Sequence, residues 1–196
     1  GDMRIMQTLA EATNVIAEGE VLQLMNMHDA TLSEEGYLRV IRSKTAKLFE
    51  ASARLAALLA QSPQSVEQSC AEYGQALGTA FQVIDDVLDY DGDVSEMGKN
   101  LGDDLREGKV TLPLIIAMQR GTEAERVTIQ QAIETGGTGQ MAQIVAIVQQ
   151  TGALQATRDA AAAEAQRALN ALQALAQNPY SHALQQLASQ LLERRF

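Results

Sequence analysis

The sequence predicts an all-α fold built as one domain, and three observations carry that reading. Ala, Leu and Gln are abundant while aromatic residues make up only 4% and Trp is absent, a composition weighted toward helix formers. Apolar residues recur at helical rather than alternating spacing, and no strand pattern is visible. The 196 residues show no repeat of fixed period and no linker, and domains run about 100–200 residues. A hydrophobic content of 46% is ample for a core.

The elements follow in order. Residues 2–27 read as one helix, with Ile5, Leu9, Ala12, Ile16, Gly19 and Gln23 on one stripe. Thr31-x-x-Glu34 is a capping box for a second helix, to about residue 61. In it, Lys44-Thr45 lies mid-helix between Val40/Ile41 and Leu48/Phe49; on its own Lys44 would be an ordinary solvent lysine. Ser62-Pro63 breaks the chain. The third helix, 64–91, carries Cys70, Gly74, Leu77, Gly78, Phe81, Ile84 and Leu88 on one face. A mid-helix glycine costs about 1 kcal/mol relative to Ala, so Gly74 and Gly78 predict close approach of another helix or a ligand. A loop occupies 92–111, and Thr111-Leu112-Pro113 opens a helix that closes at Gly121, with Pro in the first turn. Thr122-x-x-Glu125 caps a helix to about residue 135, Gly136-Gly137 turns the chain, and Met141 to Gln150 forms another helix. An Ala-rich helix over 153–177 stops at Asn178-Pro179, and a last helix runs to about residue 195.

Charge and cysteine usage exclude several classes of function. A net charge of −10 and a pI near 4.6 argue against nucleic acid or an anionic membrane surface as partner. Cys70 is the only cysteine, so no internal disulfide forms, which fits a reducing cytoplasm. It reads as packing rather than nucleophile. No apolar run approaches the ~18–20 residues of a membrane span, and no signal peptide is visible. Gly1-Asp2-Met3 runs straight into a helical pattern, which reads as a cut or an upstream region left out. His28 and His182 are isolated and read as packing or capping residues.

The chemistry concentrates in Phe81-Gln82-Val83-Ile84-Asp85-Asp86-Val87-Leu88-Asp89-Tyr90. At about 100° per residue, Gly78, Gln82, Asp85 and Asp89 share a stripe, with Asp86 beside it. Negative charge near a helix C-terminus opposes the macrodipole, and like charges at i,i+4 cost about 0.2–0.5 kcal/mol per pair. A bare D-D-x-x-D is most often solvated surface. The apolar flanks Phe81, Val83, Ile84, Val87 and Leu88 favour carboxylates lining a cavity, offset by a hard divalent cation with oxygen ligands. Two other motifs fail on inspection. Asp89, Asp91 and Asp93 have the start of a calcium loop, but Val94 and Asn100 stand where Gly and Glu are needed. Gly102 to Gly108-Lys109 is one residue too long for a P-loop and ends in Val110 rather than Ser or Thr.

Taken together, the motifs are specific. Phe81-Gln82-x-x-Asp85-Asp86-x-x-Asp89, then Gly98-Lys99, then Asp104-x-x-x-Gly108-Lys109-x-Thr111-Leu112-Pro113, resembles the second aspartate-rich region of the trans-isoprenyl diphosphate synthases. Lys44-Thr45-Ala46-x-Leu48-Phe49 is similar to that family's lysine-threonine motif, and Glu18-Gly19-Glu20-Val21-Leu22-Gln23 to an earlier helix signature. The resemblance covers residues 5–120 well and the tail weakly, and within the family it leans toward the octaprenyl diphosphate synthases of the ubiquinone pathway.

The resemblance implies an all-α, single-domain helical bundle of isoprenoid-synthase type around a central cavity, with 1–196 its C-terminal part and N-terminal helices missing. It implies Mg²⁺ held by Asp85, Asp86 and Asp89, and substrate diphosphate held by Lys44, Lys99 and Lys109. Lys44, Thr45 and Gln82 would be the catalytic residues around an allylic cation. The substrates would be an allylic prenyl diphosphate and isopentenyl diphosphate, condensed to a long-chain, octaprenyl product by a homodimer. The family's first aspartate-rich motif and its isopentenyl diphosphate set are not in this sequence, so the chain alone is expected to be inactive. A terpene cyclase and a non-catalytic partner subunit of a heteromeric synthase are the alternatives. Retention of both Gly-Lys elements and of Lys44-Thr45 favours chain elongation.

Overall fold

The structure is a computed structural model that describes residues 2–91, 101–136 and 139–194. The fold is all-helical, with no strand among the described residues. Helix α1 spans Met3–Met25, α2 Glu34–Ile41, α3 Lys47–Leu59, α4 Gln64–Asp91, α5 Asp103–Arg106 and α6 Leu112–Arg120. Helix α7 spans Glu123–Thr135, α8 Met141–Gln150, α9 Ala153–Ala171 and α10 Pro179–Leu191. No helix of the described residues is long and apolar enough to cross a membrane.

Helix α4 is the axis of the bundle. It lies between α3 on one side and α9 on the other, with α1 outside α3 and α6 against α9. Its apolar residues explain why. Val83, Ile84, Val87 and Leu88 are buried in one core with the inner faces of α6, α7 and α8. Tyr73 and Ala76, nearer its start, join a second cluster with Ala168, Leu172 and Ala188. The Ala-rich α9 meets α4 through side chains small enough to let the axes close, with Ala161, Ala165 and Ala168 all buried.

On the α3 side, close approach depends on the two glycines. A Cβ at Gly78 would stand 2.7 Å from Ala46 Cα, and one at Gly74 would run into the Phe49 carbonyl. The partner those glycines admit is therefore a helix. Gly19 does the same for α1, since a Cβ there would stand 2.6 Å from Lys44 N. Three backbones thus converge around residues 43–46.

The second predicted helix is not continuous. Arg42–Ala46 winds as a π-helical turn between α2 and α3, and it contains Lys44 and Thr45. The cap also differs: Ser33 accepts from Gly36 N at 3.1 Å, while Thr31 bonds back to Asp29 through its N–H and hydroxyl. The shorter cap wins because Ser33 sits immediately before the first helical residue, where its oxygen reaches the third helical N–H. The capping box at Thr122 and Glu125 forms in both directions. The Ala-rich helix ends at Ala171, earlier than its spacing predicts, in a 3-10 turn at Leu172–Ala174. Asn178 accepts from Tyr180 N and Ser181 N, 2.9 Å each, and starts α10 with Pro179 in its first turn. The short helix α5 lies within the predicted loop.

A candidate active site at the head of the bundle

Around the convergence of α1, α2, the π turn and the end of α4 there is a cavity of about 250 Å³. Its polar lining includes Gln23, Asn26, Tyr37, Lys44, Thr45, Gln82, Asp85, Asp86, Asp104, Lys109 and Thr111. Leu32, Val40, Ile41 and Val110 supply apolar wall.

The π turn aims Lys44 and Thr45 inward. A π turn adds a residue to the helical circuit and so rotates the side chains after it, which is why such turns recur at functional sites. Lys44 Nζ donates to Gln23 Oε1 at 2.7 Å and pairs with Glu20 at 3.1 Å, both on α1. Thr45 Oγ1 donates to Gln82 Oε1 at 3.0 Å.

The aspartates differ in their surroundings. Asp85 opens to solvent at the rim, where the Arg194 guanidinium lies 3.7 Å away and 5.0 Å above the Phe81 ring. Asp86 is buried: Tyr37 OH donates to its Oδ2 at 2.6 Å and Gln82 Nε2 to its Oδ1 at 2.9 Å. Burial pushes its carboxyl up to about 8, the Tyr37 hydrogen bond opposes this, and the charge of Asp104 adds to it. Asp89 is partly buried behind the lining. Its Oδ1 accepts from Asp103 N at 3.1 Å, and its Oδ2 is buried with no hydrogen-bond partner among the described residues. Burial, helped by the charge of Asp104, raises Asp89 to about 6. The cavity edge of α4 is therefore Gln82, Asp85 and Asp86. Of the predicted stripe of Gly78, Gln82, Asp85 and Asp89, the middle two line the cavity, with Asp86 beside them, while Gly78 packs on Ala46 and Asp89 lies behind. Helical spacing leaves two adjoining edges open, and Tyr37 and Ala46 decide which one turns inward.

Lys109 closes the other side. Its Nζ lies 2.9 Å from Asp104 and 2.7 Å from Glu107. Burial works to lower its pKa, but the two carboxylate hydrogen bonds outweigh that and leave it raised. The loop is pinned by His28, whose N–H donates to Gly108 O at 2.8 Å and whose Nδ1 lies 2.8 Å from Ile133 O. Gly108 takes φ +81, and a Cβ there would run into the His28 ring. Lys99 lies outside the described residues.

The structure thus brings Lys44, Thr45, Gln82, Asp85, Asp86 and Lys109 around one cavity, with Asp89 beside it. Sequence reasoning assigned no role to Tyr37 or Asp104. Asp104 stood in view, five residues before Lys109 in the motif. Tyr37 gave no signal, because a tyrosine at a core position of a helix is ordinary.

The lining has the chemistry of a cationic ligand meeting an anionic one. Asp85, Asp86 and Asp104 offer hard oxygen donors, and burial, with the charge of Asp104 added, makes Asp86 and Asp89 hold their protons more tightly than ordinary aspartates. The orphaned Asp89 Oδ2 is a further oxygen that a divalent cation would satisfy. The donor set fits such an ion, although the described residues contain no preformed group of three metal-ligating side chains.

The model of the polyprenyl synthetase family matches residues 1–151. The chain belongs to the polyprenyl synthetase family. It is 47% identical to octaprenyl diphosphate synthase of Escherichia coli over 99% of this chain and 60% of that one. A decaprenyl diphosphate synthase structure from Rhodobacter capsulatus superposes with a TM-score of 0.93 at 43% identity, covering 100% of this chain and 61% of that one. A polyprenyl synthase from Caulobacter crescentus, complexed with calcium and isoprenyl diphosphate, superposes with a TM-score of 0.93 at 41% identity, covering 100% and 60%. The chain described here spans about 60% of the length of these relatives.

Proposed function

We propose that the complete protein is a chain-elongating prenyltransferase, condensing an allylic prenyl diphosphate with isopentenyl diphosphate to a long-chain, octaprenyl product for a quinone side chain. The observation that carries this is that Lys44 and Lys109 line one cavity together with Asp85, Asp86 and Asp104, in a chain of this family.

Lys44 and Lys109, with Lys99, bind the diphosphate oxygens. Charge gathers on the leaving diphosphate as the allylic C–O bond breaks, so preplaced ammonium groups stabilise the transition state more than the ground state. Asp85, Asp104 and the Oδ2 of Asp89 would hold Mg²⁺, with Asp86 buried beneath them; when bound, the ion neutralises the departing diphosphate. The Caulobacter crescentus relative was found in complex with calcium and isoprenyl diphosphate, which supports a divalent cation and an isoprenyl diphosphate as the classes of ligand. Thr45 and Gln82 turn oxygen lone pairs toward the allylic cation without capturing it. Val40, Ile41 and Val110 keep water from it. We further propose a cytoplasmic homodimer, in keeping with a single cysteine and an exposed apolar face on α1.

Labelled isopentenyl diphosphate supplied with an allylic diphosphate and Mg²⁺ tests the reading. Incorporation into a polyprenyl diphosphate of about eight isoprene units is the result expected. A cyclic hydrocarbon, or no incorporation by folded complete protein, refutes it.

A further inference from the structure

We infer that Asp86 and Tyr37 are positioning residues that fix the orientation of the Gln82 amide and, through it, the hydroxyl of Thr45. The inference rests on the prenyl-transfer reading of the same cavity.

Four side chains form one directed chain of hydrogen bonds. Tyr37 OH donates to Asp86 Oδ2 at 2.6 Å, Gln82 Nε2 donates to Asp86 Oδ1 at 2.9 Å, and Thr45 Oγ1 donates to Gln82 Oε1 at 3.0 Å. They come from three segments: α2, the π turn and α4. Tyr37 is 3% exposed and Asp86 2%, so solvent does not supply substitute partners.

The direction of the chain follows from what each group can do. In the geometry here both oxygens of Asp86 accept, one from the Tyr37 hydroxyl and the other from the Gln82 NH₂, so the amide is held with its NH₂ toward Asp86. That leaves Gln82 Oε1 facing Thr45. The Thr45 proton is then committed to Oε1, and the hydroxyl's lone pairs are left for the cavity. Released from Asp86, the amide can rotate by half a turn and present its NH₂ instead. The same rotation frees the Thr45 proton to point at the reaction centre. An amide NH₂ and a hydroxyl proton both repel a developing allylic cation, whereas the oxygens attract it. A buried aspartate with both oxygens engaged inside the protein is thus placed to set the polarity of two groups that touch substrate. Its work is done beneath the reacting atoms rather than on them.

The test uses the complete protein with Asp86→Asn, Tyr37→Phe and the double substitution. Each is assayed for kcat and KM, for thermal unfolding, and for binding of two prenyl diphosphate analogues by calorimetry. One analogue carries a protonated amine where the cation forms, and the other is neutral there. Each single substitution is expected to lower kcat about ten- to hundredfold, with KM for isopentenyl diphosphate held within about twofold. The preference for the cationic analogue falls by about tenfold, while affinity for the neutral one stays. The double variant loses no more than the worse single, because both act through one amide. If Tyr37→Phe does not fold, Asp86→Asn keeps the side chain's shape and carries the test on the analogue ratio alone. Unchanged discrimination between the analogues in folded variants overturns the inference, as do losses in kcat that simply multiply. Failure of the unsubstituted protein to transfer prenyl groups refutes the reading of the cavity instead.

Discussion

Asp86 shows how much one buried residue can decide. An ordinary aspartate titrates near 3.8, and burial lifts this one to about 8. A carboxyl whose folded pKa lies above its unfolded value holds its proton more tightly when folded. Its stabilisation is therefore complete below about pH 3.8 and is lost as pH rises through about 8. Asp89, raised to about 6, adds a loss with the same sign over a lower range. In chelator, the protein should unfold at a lower temperature near pH 8.5 than near pH 5.5, and Asp86→Asn should flatten that slope. Circular dichroism melts check it, and an equal slope in both proteins contradicts it. The identity of these residues could be read from the sequence, but their division of labour could not. Asp85, Asp86 and Asp89 look alike in a one-dimensional pattern. Tyr37, 49 residues from Asp86 in the chain, distinguishes one of them, and nothing in its local context announces that.

At the scale of elements, the π turn over Arg42–Ala46 is the feature the sequence concealed. One π turn barely disturbs the apolar spacing around it, so a helix over 31–61 and its interruption give nearly the same pattern. What the sequence did carry was the cost of Gly74 and Gly78, which required a close neighbour and found one. A Cβ at Gly78 gains up to about 1 kcal/mol of helix propensity. It would also meet Ala46 Cα at 2.7 Å, and overpacking of a tight contact costs about 1–3 kcal/mol. Gly78→Ala is therefore expected to destabilise by up to about 2 kcal/mol, with Gly19→Ala behaving similarly against Lys44 N. Gly139→Ala, where nothing lies within 4 Å, serves as the control. Urea unfolding measures all three, and a stabilised Gly78→Ala would show that the π turn yields easily. Caps were read well where the box was complete, as at Thr122, and less well where Thr31 and Ser33 competed for the same helix.

For the whole molecule, an all-α bundle was legible because helical spacing runs along the entire chain, and the cavity because charged residues sat inside an apolar run. The packing of α4 between α3 and α9 was not, since it depends on which small residues face each other. Met3, Met6, Leu9, Val21, Leu24 and Met25 leave an exposed apolar face on α1. Faces of this kind favour association, so the chain is expected to be dimeric or larger at micromolar concentration by light scattering. A monomer with a sharp thermal transition would contradict that.

The central claim is that the carboxylate side of the cavity acts on the ionising bond. Asp85→Ala in the complete protein, measured for kcat and for KM toward isopentenyl diphosphate, tests it most directly. The account predicts a fall in kcat of about a hundredfold or more, with KM changed by less than about threefold. Equal effects on the two parameters, or a variant that turns over normally, would contradict it.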